Sequence, residues 1–131
     1  MKSIEDRWIF CGERLPKATD YGQYDYVLTS CGYYTEFGVY DGKKWQDPKN
    51  DEICVDAWMP IPGVDDKAWN TKMDLDDMGY SYLLIRTEDN RVRFGVYGRN
   101  WAAWQDDWCN LITDRVVAWM PIPSIYKRKE K

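Results

Sequence analysis

Three tryptophans, Trp101, Trp104 and Trp108, lie close together in the stretch NWAAWQDDWCN at residues 100–110. Asn100, Gln105, Asp106 and Asp107 lie beside them in the chain, which leaves open that part of their ring surface faces solvent. Exposed aromatic rings are enriched at protein-binding hot spots, and their flat faces also stack on sugars and nucleobases. Tyr33, in the segment CGYY, is the fourth candidate for partner binding. Burial in the core is the alternative for the three tryptophans, and it is the interpretation that we favour.

Catalytic chemistry has little support in the residue types of this chain. The sequence contains no histidine, which excludes a Ser-His or Cys-His nucleophile pair and an imidazole base. No serine lies in a Gly-x-Ser-x-Gly elbow, and no glycine-rich loop of the phosphate-binding type is present. Paired carboxylates could serve a glycosidase, but with 22 acidic residues such pairs are expected by chance. We predict that the protein is not an enzyme and needs no cofactor.

Metal binding is not predicted either. No Cys-x-x-Cys pair occurs, and the aspartates at 74, 76 and 77 lack the glycine and distal glutamate of a calcium loop. We expect four reduced and mostly buried thiols, as in a cytoplasmic protein. They are Cys11, Cys31, Cys54 and Cys109.

Charge and composition narrow the class of partner. The formal net charge is −4 and the pI about 4.8, which disfavours general binding to nucleic acid or to anionic membranes. Hydrophobic residues make up 44% of the chain, enough for a folded core. The first residues show no apolar stretch of the signal-peptide type, and no run is long enough to span a membrane. The prediction is a cytoplasmic protein without membrane partners.

The elements that position these residues follow from an internal repeat. The hexamer AWMPIP occurs at 57–62 and again at 118–123, FGVY at 37–40 and 94–97, and WQD at 45–47 and 104–106. A related pair, YDYVL at 24–28 and YSYLL at 80–84, precedes them. Four blocks in one order indicate a tandem duplication. We assign residues 1–63 to the first repeat and 64–131 to the second, together forming one globular unit.

Each block has the period-two alternation of a β-strand. Asp41-Gly42 predicts a type I′ hairpin turn, and Pro60 and Pro121 are expected to end the last strand of each repeat. The predicted fold is mainly β, with α+β as the alternative. It comprises two antiparallel β-meanders that pack together with approximate two-fold symmetry, and a short helix within 63–79. Trp58 and Trp119 are expected in the core.

The first repeat resembles a known family of small domains. WIFCGERLP at 8–16, YDYVL, DGKKW at 41–45 and AWMPIP follow one another as in domain-of-unknown-function family 551, which is common among phage and prophage proteins. The resemblance covers residues 8–62, whereas the second repeat has WNTKMDLDD from Trp69 in place of the Arg-Leu-Pro segment. It implies a phage or mobile-element origin and carries no activity with it.

These observations predict a small accessory protein that acts by binding another protein. The alternative is a ligand-binding β domain that stacks a sugar or nucleobase on exposed tryptophans. Binding to nucleic acid is not expected, and association into a homo-oligomer is left open.

Overall fold

A computed structural model of the chain describes residues 4–100, 102–107 and 109–125. The fold is mainly β, with 37% strand and 9% helix, and it contains two antiparallel sheets. This confirms the predicted fold class. The described residues divide into two compact units, 4–63 with 123–125 and Val64–Ile122.

The first unit holds a six-stranded sheet with the strand order β1-β6-β2-β3-β4-β5. Two four-residue 3-10 turns, Ile4–Arg7 and Ala18–Tyr21, lie before and after the first strand. The strands are β1 (Ile9–Phe10), β2 (Val27–Ser30), β3 (Thr35–Tyr40), β4 (Trp45–Gln46), β5 (Glu52–Ile53) and β6 (Ala57–Met59). From β2 to β5 the chain forms a meander, as predicted, and β6 returns to pair with β2.

The second unit holds a five-stranded sheet that follows the same path. Its strands are β7 (Leu83–Thr87), β8 (Val92–Gly98), β9 (Ala103–Asp106), β10 (Leu111–Ile112) and β11 (Val116–Pro121). The order β11-β7-β8-β9-β10 matches β6-β2-β3-β4-β5 of the first unit. A single-turn helix, α1 (Leu75–Met78), lies in the segment where a short helix was expected.

The tryptophan of each hexamer lies in a core. Trp58 is fully buried and packs with Val27 and Trp45. Trp119 is 4% exposed and packs in a cluster with Ile85 and Ile112. Both predictions are confirmed. The prolines also end the strands as expected, since Pro60 directly follows β6 and Pro121 is the last residue of β11.

The segment entering each unit makes equivalent contacts despite its different sequence. Ile9 of β1 pairs with Trp58, and Asn70 pairs with Trp119 through two backbone hydrogen bonds of 2.8 and 2.9 Å. The Trp58 indole N–H donates to the Arg14 carbonyl at 3.0 Å, and the Trp119 indole N–H donates to the Lys72 carbonyl at 2.9 Å. Because the entry segments contribute only backbone groups to these bonds, the two segments need no side chains in common.

The hairpin between β3 and β4 differs in detail from the prediction. The Asp41 amide donates to the Lys44 carbonyl at 3.1 Å, so Gly42 and Lys43 are the central residues. Gly42 has a φ of 99°, whereas Lys43 is not among the residues with positive φ. A type I′ turn needs positive φ at both positions, so the predicted turn type is wrong. The Asp41 carboxylate accepts from the Lys43 and Lys44 amides instead, both at 2.8 Å.

The thiols are free, but the prediction that they are mostly buried is wrong. Cys11 and Cys31 are half-buried, and Cys54 and Cys109 are exposed. All four lie just outside the strands, where the chain turns toward solvent. The described helical segments are each four residues long, and none has the length or apolar character to cross a membrane.

Candidate functional site

The predicted tryptophan cluster falls largely outside the residues that the structure describes. Trp101 and Trp108 lie in its two internal gaps. Trp104 lies in β9, half-buried, and packs against the core cluster of the second unit. The Tyr97 ring meets it edge to face, with ring centroids 5.4 Å apart. The Trp104 ring therefore contributes to core packing.

Tyr33 lies at the tip of the hairpin between β2 and β3 and is 88% exposed. Gly32, with a φ of 92°, turns the chain here, and the Cys31 amide donates to the Tyr34 carbonyl at 3.4 Å. Within the described part of the chain, the Tyr33 side chain has no hydrogen bond or ring contact. Tyr33 is therefore accessible, but nothing holds its ring in one orientation.

Behind this hairpin tip, a carboxyl group is partly removed from water. The Tyr34 hydroxyl donates to the Glu36 carboxylate in β3. Burial raises the pKa of the Glu36 carboxyl, the Tyr34 hydrogen bond lowers it, and the nearby Asp47 carboxylate raises it further. The net effect is a raised pKa, because burial dominates.

This raised pKa predicts the sign of a pH effect on stability. The folded protein binds the Glu36 proton more tightly than the unfolded chain, so ionisation of Glu36 costs stability as pH rises through the folded-state pKa. That cost is absent below the unfolded-state pKa of about 4.3. We expect Glu36→Gln to melt at a higher temperature than wild type at pH 7 and at the same temperature below about pH 4.

Thermal melts monitored by circular dichroism at both pH values test this expectation. Glu52→Gln, at an exposed position in β5, is the matched control and should leave the melting temperature unchanged. A Glu36→Gln variant that melts below wild type at pH 7 would show that the ionised carboxylate stabilises the fold.

A second group of exposed apolar side chains lies in the second unit, between the unit boundary and β7. Met73 is 41% exposed, Leu75 40%, Tyr80 80% and Tyr82 41%. We call these four residues, together with Arg99, the tyrosine surface. The four side chains lie within ten residues of chain, and large apolar patches exposed on a protein surface usually mark a binding site.

Helix α1 orients this segment. The Asp74 carboxylate accepts from the Asp76 amide at 3.0 Å and the Asp77 amide at 3.4 Å, which caps the helix at its N-terminus. Met78 is 5% exposed and anchors the turn in the core of the unit. Gly79, with a φ of 69°, then ends the helix and turns the chain so that Tyr80 projects into solvent.

Arg99 holds the Tyr80 ring in place. The guanidinium carbon lies 4.2 Å from the ring centroid, in cation–π geometry. The same guanidinium donates to the carbonyls of Leu75, the first residue of α1, and of Gly79, which directly follows the helix. These hydrogen bonds to the backbone therefore orient the Arg99 guanidinium, and the Tyr80 ring packs against it.

Sequence reasoning missed Tyr80 and Tyr82 because their counterparts in the first repeat behave differently. Tyr24 and Tyr26 are both half-buried. The Tyr24 hydroxyl donates to the Pro62 carbonyl at 3.1 Å, and the Tyr26 ring lies 6.3 Å from the Phe37 ring. The repeated Tyr-x-Tyr pattern predicts a strand in both places, but the strands begin after these tyrosines, at Val27 and Leu83, and the pattern does not predict exposure.

Neither the thiols nor the carboxylates form a reactive cluster. Burial and the Asp56 carboxylate raise the pKa of the Cys11 thiol to about 11, although a hydrogen bond from Trp45 opposes them. Cys11 is therefore a protonated, weakly nucleophilic thiol at neutral pH. Among the described residues, no three cysteine or carboxylate side chains are arranged to hold a metal ion.

A buried cation in the second unit has a structural explanation. Arg86 is 6% exposed, stacks 5.2 Å from the Trp69 ring centroid and donates from Nη1 to the Val64 carbonyl at 3.1 Å. Its Nε has no hydrogen-bond partner in the described structure. The Nη1 hydrogen bond and the ring contact link the segment from Val64 to Trp69 to β7, which contains Arg86.

No protein-family model, curated protein or solved structure matches this chain. The resemblance to family 551 and the phage origin that it implies stay predictions.

Proposed function

We propose that this chain is a non-enzymatic accessory protein that acts by binding another protein, and that the tyrosine surface makes the contact. Tyr80 carries the proposal, because it is 80% exposed and yet held in one orientation by Arg99. Exposed but ordered aromatic side chains lose little conformational entropy on binding, and tyrosine and arginine are enriched among hot-spot residues.

The surroundings of Tyr80 support a protein contact. Tyr82, Leu75 and Met73 are each about two-fifths exposed and supply further apolar area. A rigid aromatic anchor among partly exposed aliphatic side chains is the arrangement found at the centre of many protein interfaces. Tyr33 is equally accessible but lacks a fixed orientation, so we place it outside the contact. Stacking of a sugar or base on tryptophan, the alternative, gains no support from the core-packed Trp104.

The cellular setting of this proposal comes from the resemblance to family 551. A phage or mobile-element protein would meet its partner in a bacterial cytoplasm, so we propose a bacterial protein as the partner. A bacterial lysate is therefore the source of partner in the capture experiment.

Replacing Tyr80 with alanine should weaken partner binding by about thirty-fold, the loss typical of a hot-spot residue. The immobilised protein and its variants are incubated with nuclease-treated bacterial lysate, and captured proteins are quantified by mass spectrometry. Tyr33→Ala removes a tyrosine of similar exposure from the first unit and should leave capture unchanged. Equal capture by wild type and Tyr80→Ala would overturn the proposal, provided that the variant keeps the wild-type circular dichroism spectrum and melting temperature.

A further inference from the structure

We infer that the tyrosine surface binds a segment of another protein that carries lysine or arginine beside apolar side chains. This inference rests on the proposed function and adds the chemistry of the partner. It follows from the charges that surround the exposed aromatic and aliphatic groups.

The segment that supplies the apolar groups is acidic. Residues 73–82, MDLDDMGYSY, contain three aspartates and neither lysine nor arginine. Asp74 uses its carboxylate to cap α1, but Asp76 and Asp77 are exposed. Neither takes part in an ion pair or hydrogen bond through its side chain in the described structure. Two uncompensated carboxylates therefore lie in the chain between Leu75 and Tyr80.

Arg99, the cation of the tyrosine surface, does not neutralise the Asp76 and Asp77 carboxylates. Arg99 already donates to the carbonyls of Leu75 and Gly79 and lies over the Tyr80 ring. These contacts direct its charge at two backbone carbonyls and at the aromatic face. A partner therefore meets apolar side chains bordered by negative charge, and electrostatic complementarity favours a basic border around its own apolar centre.

The same charges argue against the other candidate occupants. A two-fold contact between copies of this chain would bring the aspartates of one copy against those of the other, because such an interface uses the same patch on both sides. Nucleic acid would bring phosphates toward Asp76 and Asp77. Both arrangements place like charges together, whereas a basic protein segment places opposite charges together.

The double variant Asp76→Asn, Asp77→Asn tests the inference in the capture assay of the Tyr80 experiment. These side chains are exposed, and the cap residue Asp74 is kept, so the fold should be unchanged. We expect capture of the Tyr80-dependent protein to fall about five-fold or more, and wild-type capture to fall similarly as salt rises. The matched control is Glu13→Gln, Asp25→Asn, which removes two exposed carboxylates from the first unit and should have no effect.

Zero-length carbodiimide cross-linking supplies the second measurement. This reagent joins a carboxylate to a lysine amine in contact with it, so Asp76 or Asp77 should cross-link to a lysine of the captured protein. Capture that depends on Tyr80 but changes neither with the double variant nor with salt would overturn the charge inference and leave the proposed function intact. Cross-links from these residues only to a second copy of this chain would also overturn it. Loss of Tyr80 dependence itself would instead count against the proposed function.

Discussion

Replacing Trp58 with alanine is expected to lower the free energy of unfolding by about 3–5 kcal/mol, the usual cost of truncating a buried aromatic side chain. The indole is fully buried among Val27 and Trp45, so alanine leaves a cavity. It also leaves the Arg14 carbonyl without the indole N–H, and removes the ring over which the Arg14 guanidinium lies at 4.9 Å. Urea denaturation followed by circular dichroism, at unchanged slope, measures the loss.

Trp58→Phe separates the hydrogen bond from the apolar volume. Phenylalanine keeps much of the buried area but cannot donate to the Arg14 carbonyl at 3.0 Å, so a loss of about 1–3 kcal/mol is expected. A Trp58→Ala variant within about 1 kcal/mol of wild type would mean that the core cluster of the first unit collapses around the missing ring.

The repeated sequence blocks predicted the two sheets because their residue types determine both the local backbone geometry and which side chains are buried. Trp58 and Trp119 recur with two prolines because each must fill a core and end the same strand. The equivalence of the two segments that enter the units could not be predicted from the sequence, because it does not depend on residue type. Their shared feature is a backbone carbonyl, on Arg14 in one unit and Lys72 in the other, which accepts from the tryptophan indole. Any residue type can supply a backbone carbonyl, so no sequence motif indicates this hydrogen bond.

The tyrosine surface could not be predicted because its exposure depends on contacts distant in the sequence. Tyr24 and Tyr80 begin the same strand motif, but Tyr24 reaches the Pro62 carbonyl while Tyr80 turns outward after Gly79 and meets Arg99. Both tyrosines precede their strands, which begin at Val27 and Leu83. The alternating pattern does not tell where the strand begins or what covers each side chain, because tertiary packing decides both.

The glycine of each FGVY block has a reason that only the packing reveals. A Cβ built on Gly38 in β3 would lie 2.7 Å from Thr29 Cγ2, and one built on Gly95 in β8 would lie 2.8 Å from Ile85 Cδ1. Thr29 and Ile85 occupy equivalent places in β2 and β7, one strand away. The neighbouring strand thus fills the space above each glycine, and the block keeps a glycine in both repeats.

Gly38→Ala should therefore destabilise the protein by about 2 kcal/mol, although alanine is ordinarily better than glycine in a strand. Thr29 cannot move aside easily. It is 1% exposed, its β-branched side chain is stiff, and its hydroxyl donates to the Glu36 carbonyl at 3.1 Å. The Ile53 Cδ1 atom, 3.2 Å from the new Cβ, closes the other side. Chemical denaturation of wild type and variant measures the difference.

A double-mutant cycle identifies the clash as the cause. Thr29→Ser deletes the Cγ2 methyl but keeps the hydroxyl, so Gly38→Ala should cost less in that background, with a coupling of about 1 kcal/mol or more. Gly63→Ala is the matched control, because its Cβ meets nothing within 4 Å and its backbone needs no positive φ. That variant should be neutral or slightly stabilising. If Gly38→Ala costs the same with serine as with threonine at position 29, then steric contact with the Thr29 methyl does not explain the glycine.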